Sequence, residues 1–355
     1  MLKNFGGSIA FTLVCLALAA AYGWMQTASV PATLAMLWIV VMLSVLEISL
    51  SFDNAVVNAA VLGEMDPVWQ RRFLTWGMVI AVFAMRIVFP LAIVAIAAGI
   101  GPVEAVRISL TEPARYEAIV SSAHVGIAGF GGAFLAMVGL SFFFDGEKDV
   151  HWITWLESRL ALFAEIKAAE IAILLCGLYG ISLLLPPEEA LTFLGAGALG
   201  IVTFIAVEAI GTLLEMQEAA QKAAGQVVRS GLGGFLYLNV LDASFSFDGV
   251  IGAFALSNNM VVIALGLSIG AMFVRSLTLL LVRQGTLAEY RYLEHGAFWA
   301  IIALAAIMLI SAHIPIPETV TGLIGAVLIG LSMWWSVRHK RRFPDAEIED
   351  ALRSE

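Results

Sequence analysis

The chain is built from apolar runs long enough to cross a bilayer. Backbone in hydrocarbon must close its own hydrogen bonds, so each run is expected to be a helix. A crossing needs about 20 mostly apolar residues. Ten runs meet that test, at about 8–24, 33–62, 73–99, 125–144, 169–185, 191–213, 232–257, 261–282, 297–312 and 318–337. The second and seventh are long and carry polar residues, so each is expected to be bent or broken. The first follows Lys3 and has some features of a signal peptide, but is read as a span. Composition agrees, with 61% hydrophobic and 13% charged residues among 355 and a mean hydropathy of +0.93. A soluble domain carries about 25% charged residues. The fold class is therefore an all-α polytopic membrane protein.

Charge tests this count. Fifteen of the 19 Lys and Arg fall at the N-terminus, after even-numbered spans, or in the C-terminal tail. Only Arg107 and Arg115 lie in the opposite loops, and Arg86 and Arg275 lie inside spans. Basic loops stay in the cytoplasm, so both termini are expected there, with Glu64–Arg72 inside and Val103–Ser122 outside. A bacterial inner membrane is the expected location. The net charge of −9 argues against a nucleic-acid partner. The two cysteines, Cys15 and Cys176, sit in apolar runs, which excludes a disulfide scaffold, a zinc ribbon and a thiolate cluster.

The sequence also matches itself. VLEISLSFDNAVVNAAVL at 45–62 aligns without gaps to VLDASFSFDGVIGAFALS at 240–257, placing Glu47 on Asp242, Ser51 on Ser246 and Asp53 on Asp248. Gly77 to Arg86, ending FAMR, likewise matches Gly266 to Arg275, ending MFVR. More weakly, Arg115-Tyr116 leading to His124 resembles Arg291-Tyr292 leading to His295. Spans two to four (repeat A, about 33–145) and seven to nine (repeat B, about 232–313) thus read as two copies of a three-helix unit. Between them lie helices at about 165–215. A final helix at about 318–337 and a tail at 338–355 follow repeat B. Five spans separate equivalent helices, an odd number, so the copies should cross in opposite directions. Secondary transporters use this architecture, with sites near the midplane.

Glu47, Asp53, Asp242 and Asp248 are the central candidates, because buried charge is too costly to keep for packing alone. At 100° per residue, Glu47, Ser51, Asn54 and Asn58 share one helical stripe, which Asp242, Ser246 and Gly249 repeat. Asp53 and Asp248 fall about 120° away. Either the backbone unwinds near Ser51-Phe52 and Ser246-Phe247, or these acids face the other repeat. Carboxylate, amide and hydroxyl oxygens without Cys or His suit Mg²⁺, Ca²⁺ or Mn²⁺ rather than Cu⁺ or Zn²⁺. Arg86 and Arg275 are open between register-fixing ion pairs and gating. Glu208 has no repeat partner, and is open between packing, a proton path and a ligand role. Asn58 is an additional candidate ligand, although Ala253 takes its place in repeat B. His124 and His295 are read as interfacial histidines, Asn239 and Asn258 as helix-end residues. Gly126, Gly129, Gly131 and Gly132 are read as allowing close helix contact, and Trp334-Trp335 as an interfacial anchor.

At these residues the chain resembles the TerC family of integral membrane proteins, associated with tellurium resistance and manganese export. The family's first motif, an acid and then Leu-Ser-x-Asp-Asn, reads here as Glu47 through Leu50-Ser51-Phe52-Asp53-Asn54. Its second has an acid and then Phe-Ala-x-Asp-Ser-Ile-Pro. Here Asp242 is followed by Phe245-Ser246-Phe247-Asp248, and Gly249-Val250-Ile251 replaces Ser-Ile-Pro. The whole chain looks most like a TerC-related branch described only as a domain of unknown function. The resemblance implies a divalent-cation exporter, for Mn²⁺, with Glu47, Asp53, Asp242 and Asp248 as the carried-over acids; the hard oxygen set adds Ca²⁺ as the second candidate ion and Asn54 as a further metal residue. Proton exchange is the expected coupling, because clustered carboxylates titrate together. The expected partners are divalent metal ions and the bilayer, with no permanently bound cofactor and no enzymatic activity.

Two other readings compete. An accessory protein for metal loading of client proteins is compatible with the resemblance. An intramembrane aspartyl protease would use two membrane aspartates, but the Gly-x-Gly-Asp signature is absent and Glu47 and Asp242 would have no task.

Overall fold

The computed structural model describes residues 2–77, 80, 88, 91–92, 94–95, 99–145, 150–161, 168–223, 231–257, 259–284 and 290–342. At 2–4, 53, 64, 113, 161, 215, 218, 222–223, 243–252, 254–255 and 318–319 only the backbone is described. These residues form helices, with no strand among them. Among the described residues seven helices are long and apolar enough to cross a membrane, and shorter apolar helices occupy Asn54–Gly63 and Ala169–Ser182. The protein is an all-α, polytopic integral membrane protein.

Helix α1 (Leu2–Thr27) turns through Ala28, at φ 48°, into α2 (Val30–Leu50), which has proline in its first turn. That position suits proline, because its N–H would have had no intrahelical acceptor. Ser51, at φ −104° and ψ 17°, separates α2 from α3 (Phe52–Glu64). The interruption expected in the second span is therefore present, but it is confined to one residue. The Ser51 N–H still donates to the Glu47 carbonyl at 3.0 Å and Ala55 N–H to the Ser51 carbonyl at 3.2 Å. Asp66 caps α4 (Pro67–Arg72) through the Val68 N–H, and α4 passes into a π-helical turn at Phe73–Gly77. Most of the third span, including Arg86, lies outside the described residues.

The loop expected at 103–122 folds as two short helices, α5 (Pro102–Thr111) and α6 (Pro113–Ser122). Then come α7 (His124–Phe143), α8 (Thr154–Ala161), α9 (Ala169–Ser182) and α10 (Pro187–Ala223). At 37 residues, α10 far exceeds the expected 191–213. Its polar end, from Glu215 to Lys222, adds helix that an apolar-length criterion omits. Helix α11 (Leu232–Leu256) follows Gly231, whose φ of 135° favours glycine and whose Cα faces the Trp69 side chain. It is continuous across Ser246-Phe247, so the interruption expected there is not seen. Helices α12 (Met260–Gln284), α13 (Leu293–Ser311) and α14 (Glu318–Arg342) follow. Trp334 and Trp335 on α14 are exposed, and the Arg338 guanidinium lies 5.4 Å from the Trp334 ring centroid.

Close contacts fix helix directions. Gly132 of α7 abuts Leu309 of α13, while Gly139, further along α7, abuts Ile302, earlier in α13. These third helices of the two repeats are therefore antiparallel. The first helices are too: Asn54 and Asn58 of α3 meet Asp242 of α11, while Val61 and Met65 meet Gly234. By contrast Gly266 and Gly270 of α12 rest on Leu43 and Glu47 of α2 in the same order, so these two helices run parallel. The first and third helices of the two repeats thus cross in opposite senses, as the odd span separation requires. Gly129 also brings α7 close to the Phe193 carbonyl of α10, and Gly200 brings α10 close to the Phe130 carbonyl. Gly126 makes only ordinary contact with Thr192.

Candidate functional site

The polar stripe of repeat A is buried. Glu47, Ser51, Asn54 and Asn58 are 2%, 8%, 7% and 4% exposed, and Asp242 of repeat B is 9% exposed. Three local features build this seam. At the end of α2, Glu47 packs against Gly270 of α12, where a side chain would strike its Cβ and Cγ. The same interface is pinned one turn earlier by Ser44, whose hydroxyl donates to the carbonyls of Val40 (2.7 Å) and Gly266 (3.1 Å). Across the break, the Ser51 hydroxyl donates to Glu47 Oε1 at 2.9 Å. In α3, Asn54 and Asn58 are one turn apart on one face, and both Nδ2 groups donate to Asp242 Oδ1 at 2.9 Å. Glu47 and Asp242, equivalent in the repeat, are thus both held by successive turns of one polar face.

These donors are neutral. They lower the cost of a carboxylate in a low-dielectric seam without cancelling its charge. The Asn58 Oδ1 atom is buried and has no hydrogen-bond partner among the described residues. Among the described residues no three His, Cys, Asp or Glu side chains gather into a metal cluster. The side chains of Asp53, Ser246 and Asp248, and all of Arg86 and Asn258, lie outside the described residues. What is assembled here is Glu47, Ser51, Asn54, Asn58 and Asp242.

The other candidates are placed elsewhere. Arg275, half-buried on α12, donates from Nε to the Leu74 carbonyl in the π-helical turn at 2.7 Å, tying repeat B's second helix to repeat A. No carboxylate pairs with it among the described residues. Glu208 is on an exposed face of α10. Asn239 donates to the Phe235 carbonyl of its own helix. Asn259, not singled out by sequence, caps α12 by accepting from Val261 and Val262 N–H, and donates to the Tyr22 hydroxyl.

The two histidines occupy equivalent positions at the starts of the third helices. His124 Nε2 meets the Ser311 carbonyl at the end of α13, 3.1 Å away. His295 Nε2 meets the Val150 carbonyl beyond α7, 2.7 Å away, and lies 3.7 Å from Glu157 Oε2. Glu157 was missed by sequence reading. It is 3% exposed and accepts from the N–H groups of Trp152 and Ile153 and from Trp299 Nε1 (2.8 Å), clamping α8 onto α13. Its signal was a Thr-x-x-Glu spacing at 154–157, the form of a helix-start capping motif.

Fold and seam define an α-helical membrane protein of two oppositely directed repeats that meet around buried polar groups. The chain belongs to the family described as Protein of unknown function (DUF475), whose model matches residues 52–343. The match covers Asn54, Asn58 and all of repeat B, and begins just after Glu47 and Ser51. No curated protein matches the chain. No solved structure matches it either.

Proposed function

We propose that the protein is a secondary transporter exporting a divalent metal cation, Mn²⁺ first and Ca²⁺ second, in exchange for protons. The observation carrying this reading is the buried seam in which Asp242 of repeat B meets Asn54 and Asn58 of repeat A. Transport sites in inverted-repeat proteins lie between the repeats, where a cation is exposed to each side in turn. The donor set is hard: carboxylate, carboxamide and hydroxyl oxygens, with no Cys or His in either repeat motif. Asp53 and Asp248, whose equivalence comes from the sequence repeat, complete the proposed set of acids. The TerC resemblance points the same way. Loop charge supports a bacterial inner membrane with both termini in the cytoplasm.

The test is flux of Mn²⁺, Ca²⁺ and Mg²⁺ into proteoliposomes, with and without a pH gradient. Mn²⁺ and Ca²⁺ should outcompete equal Mg²⁺, which sheds its waters reluctantly, and an opposing proton gradient should accelerate uptake. Absence of flux for all three ions, or a preference for Zn²⁺ or Cu⁺, would overturn the proposal.

A further inference from the structure

We infer that Asn58 is a direct cation ligand, through its carboxamide oxygen, and that Asp242 is the positioning carboxylate behind it. This inference rests on the transport reading above. An ionised carboxylate only accepts hydrogen bonds, so the amide nitrogens of Asn54 and Asn58 must be the atoms facing Asp242 Oδ1. At Asn58 that contact fixes the whole carboxamide and turns its oxygen away from Asp242. The oxygen is then held in a side chain only 4% exposed, with no hydrogen-bond partner among the described residues. A buried carbonyl oxygen without a donor is costly, and a cation satisfies it. A carboxamide oxygen is a hard, neutral ligand of the kind Ca²⁺ and Mn²⁺ accept. Donation from its N–H to a carboxylate orients such a ligand and makes its oxygen more electron-rich, as outer-shell partners do at metal sites. Asp242 then acts on the ion through Asn58.

Two substitutions separate this role from simple anchoring of Asp242. Asn58→Leu keeps the branched shape and removes both polar atoms. Asn58→Asp keeps an oxygen for the ion but puts a second carboxylate against Asp242. The measurements are Mn²⁺ binding by titration calorimetry on the full-length protein in detergent, and the rise in Tm caused by Mn²⁺. Asn58→Leu should weaken Mn²⁺ binding roughly ten- to a hundred-fold. Asn58→Asp should bind more tightly than Asn58→Leu, lose affinity as pH falls, and show a larger Mn²⁺-induced rise in Tm than the unsubstituted protein, because the ion relieves the new repulsion.

Wild-type affinity in Asn58→Leu, or an Asn58→Asp variant that binds no better than Asn58→Leu, would overturn the inference. If Asn58→Leu does not fold, the comparison of Asn58→Asp with the unsubstituted protein decides alone, a smaller Tm rise overturning it. Failure of the unsubstituted protein to bind or move Mn²⁺ or Ca²⁺ would remove the transport reading itself. Normal flux and affinity in Asn58→Leu would remove only the role of Asn58.

Discussion

Replacing Gly270 by alanine tests how the seam is held. An added Cβ would lie 2.5 Å from Glu47 Cγ and 3.0 Å from the Ser44 carbonyl oxygen. Carbon atoms prefer about 3.5–4.0 Å, so relief needs roughly an ångström of movement. The obstructing Glu47 atoms lie near its backbone, where rotation about the side chain gives little room. Nor can α2 withdraw freely, since Ser44 bonds the Gly266 carbonyl one turn away and Gly266 itself abuts Leu43. Overpacking of this kind costs about 1–3 kcal/mol, and the displacement falls directly on Glu47. Gly270→Ala should therefore lower Tm in detergent and impair cation flux together. Gly177→Ala is the control, because nothing lies within 4 Å of its added Cβ. There alanine should be neutral or stabilise by up to about 1 kcal/mol through helix propensity. Equal melting temperatures for the two variants would refute the close α2–α12 packing on which the placement of Glu47 depends.

Under the transport proposal, Asp53→Asn and Asp248→Asn should each abolish most Mn²⁺ flux while leaving Tm nearly unchanged. If these acids instead neutralise Arg86 and Arg275, each change strands a buried cation and costs something like 3–5 kcal/mol in thermal melts, with flux retained by the folded fraction. Glu157→Gln should destabilise the protein by about 2 kcal/mol, because a neutral amide replaces a carboxylate serving three N–H donors. Limited proteolysis should then cut near α8 sooner, and an unchanged digestion pattern would count against the clamp. Single cysteines placed in α5 and α6 should react with impermeant reagent from outside the cell; reaction only from the cytoplasm would reverse the assigned orientation.

The sequence carried the inverted repeat because direction follows from counting spans, and span count follows from apolar length and loop charge. Contacts such as Gly132 with Leu309 and Gly139 with Ile302 then bear out the opposite senses. The polar stripe was legible for a similar reason, since helical periodicity alone puts Glu47, Ser51, Asn54 and Asn58 on one face. Asp242's use of two amides from the other repeat was hidden, because it depends on how α3 and α11 cross. Glu157 carried only a local capping spacing, and its bond to Trp299, 142 residues away, was hidden for the same reason. The break at Ser51 was expected from excess length and polarity, but the same criteria anticipated an interruption in α11 that is absent. Length and polarity locate stress in a span without saying whether the backbone yields.

The departure from symmetry bears most directly on how the seam works. Glu47 and Asp242 are equivalent, yet the positions matching Asn54 and Asn58 in repeat B are Gly249 and Ala253. Repeat A therefore presents two carboxamides to Asp242, and repeat B has none at those positions to present to Glu47. Glu47 accepts from Ser51 of its own repeat and packs closely against Gly270 of the other. Asp242 is thus hydrogen-bonded by two amides across the repeat boundary, whereas the Ser51 bond to Glu47 is made within repeat A. Sliding α3 against α11 would change the surroundings of Asp242 while Glu47 kept its Ser51 bond. An exchange of access between the two membrane faces, as proposed, would accordingly be felt first at Asp242, Asn54 and Asn58. Substitutions there should alter the rate of ion release more than substitutions at Ser51, which pre-steady-state flux in proteoliposomes can measure; equal effects at both places would argue against motion at the α3–α11 contact.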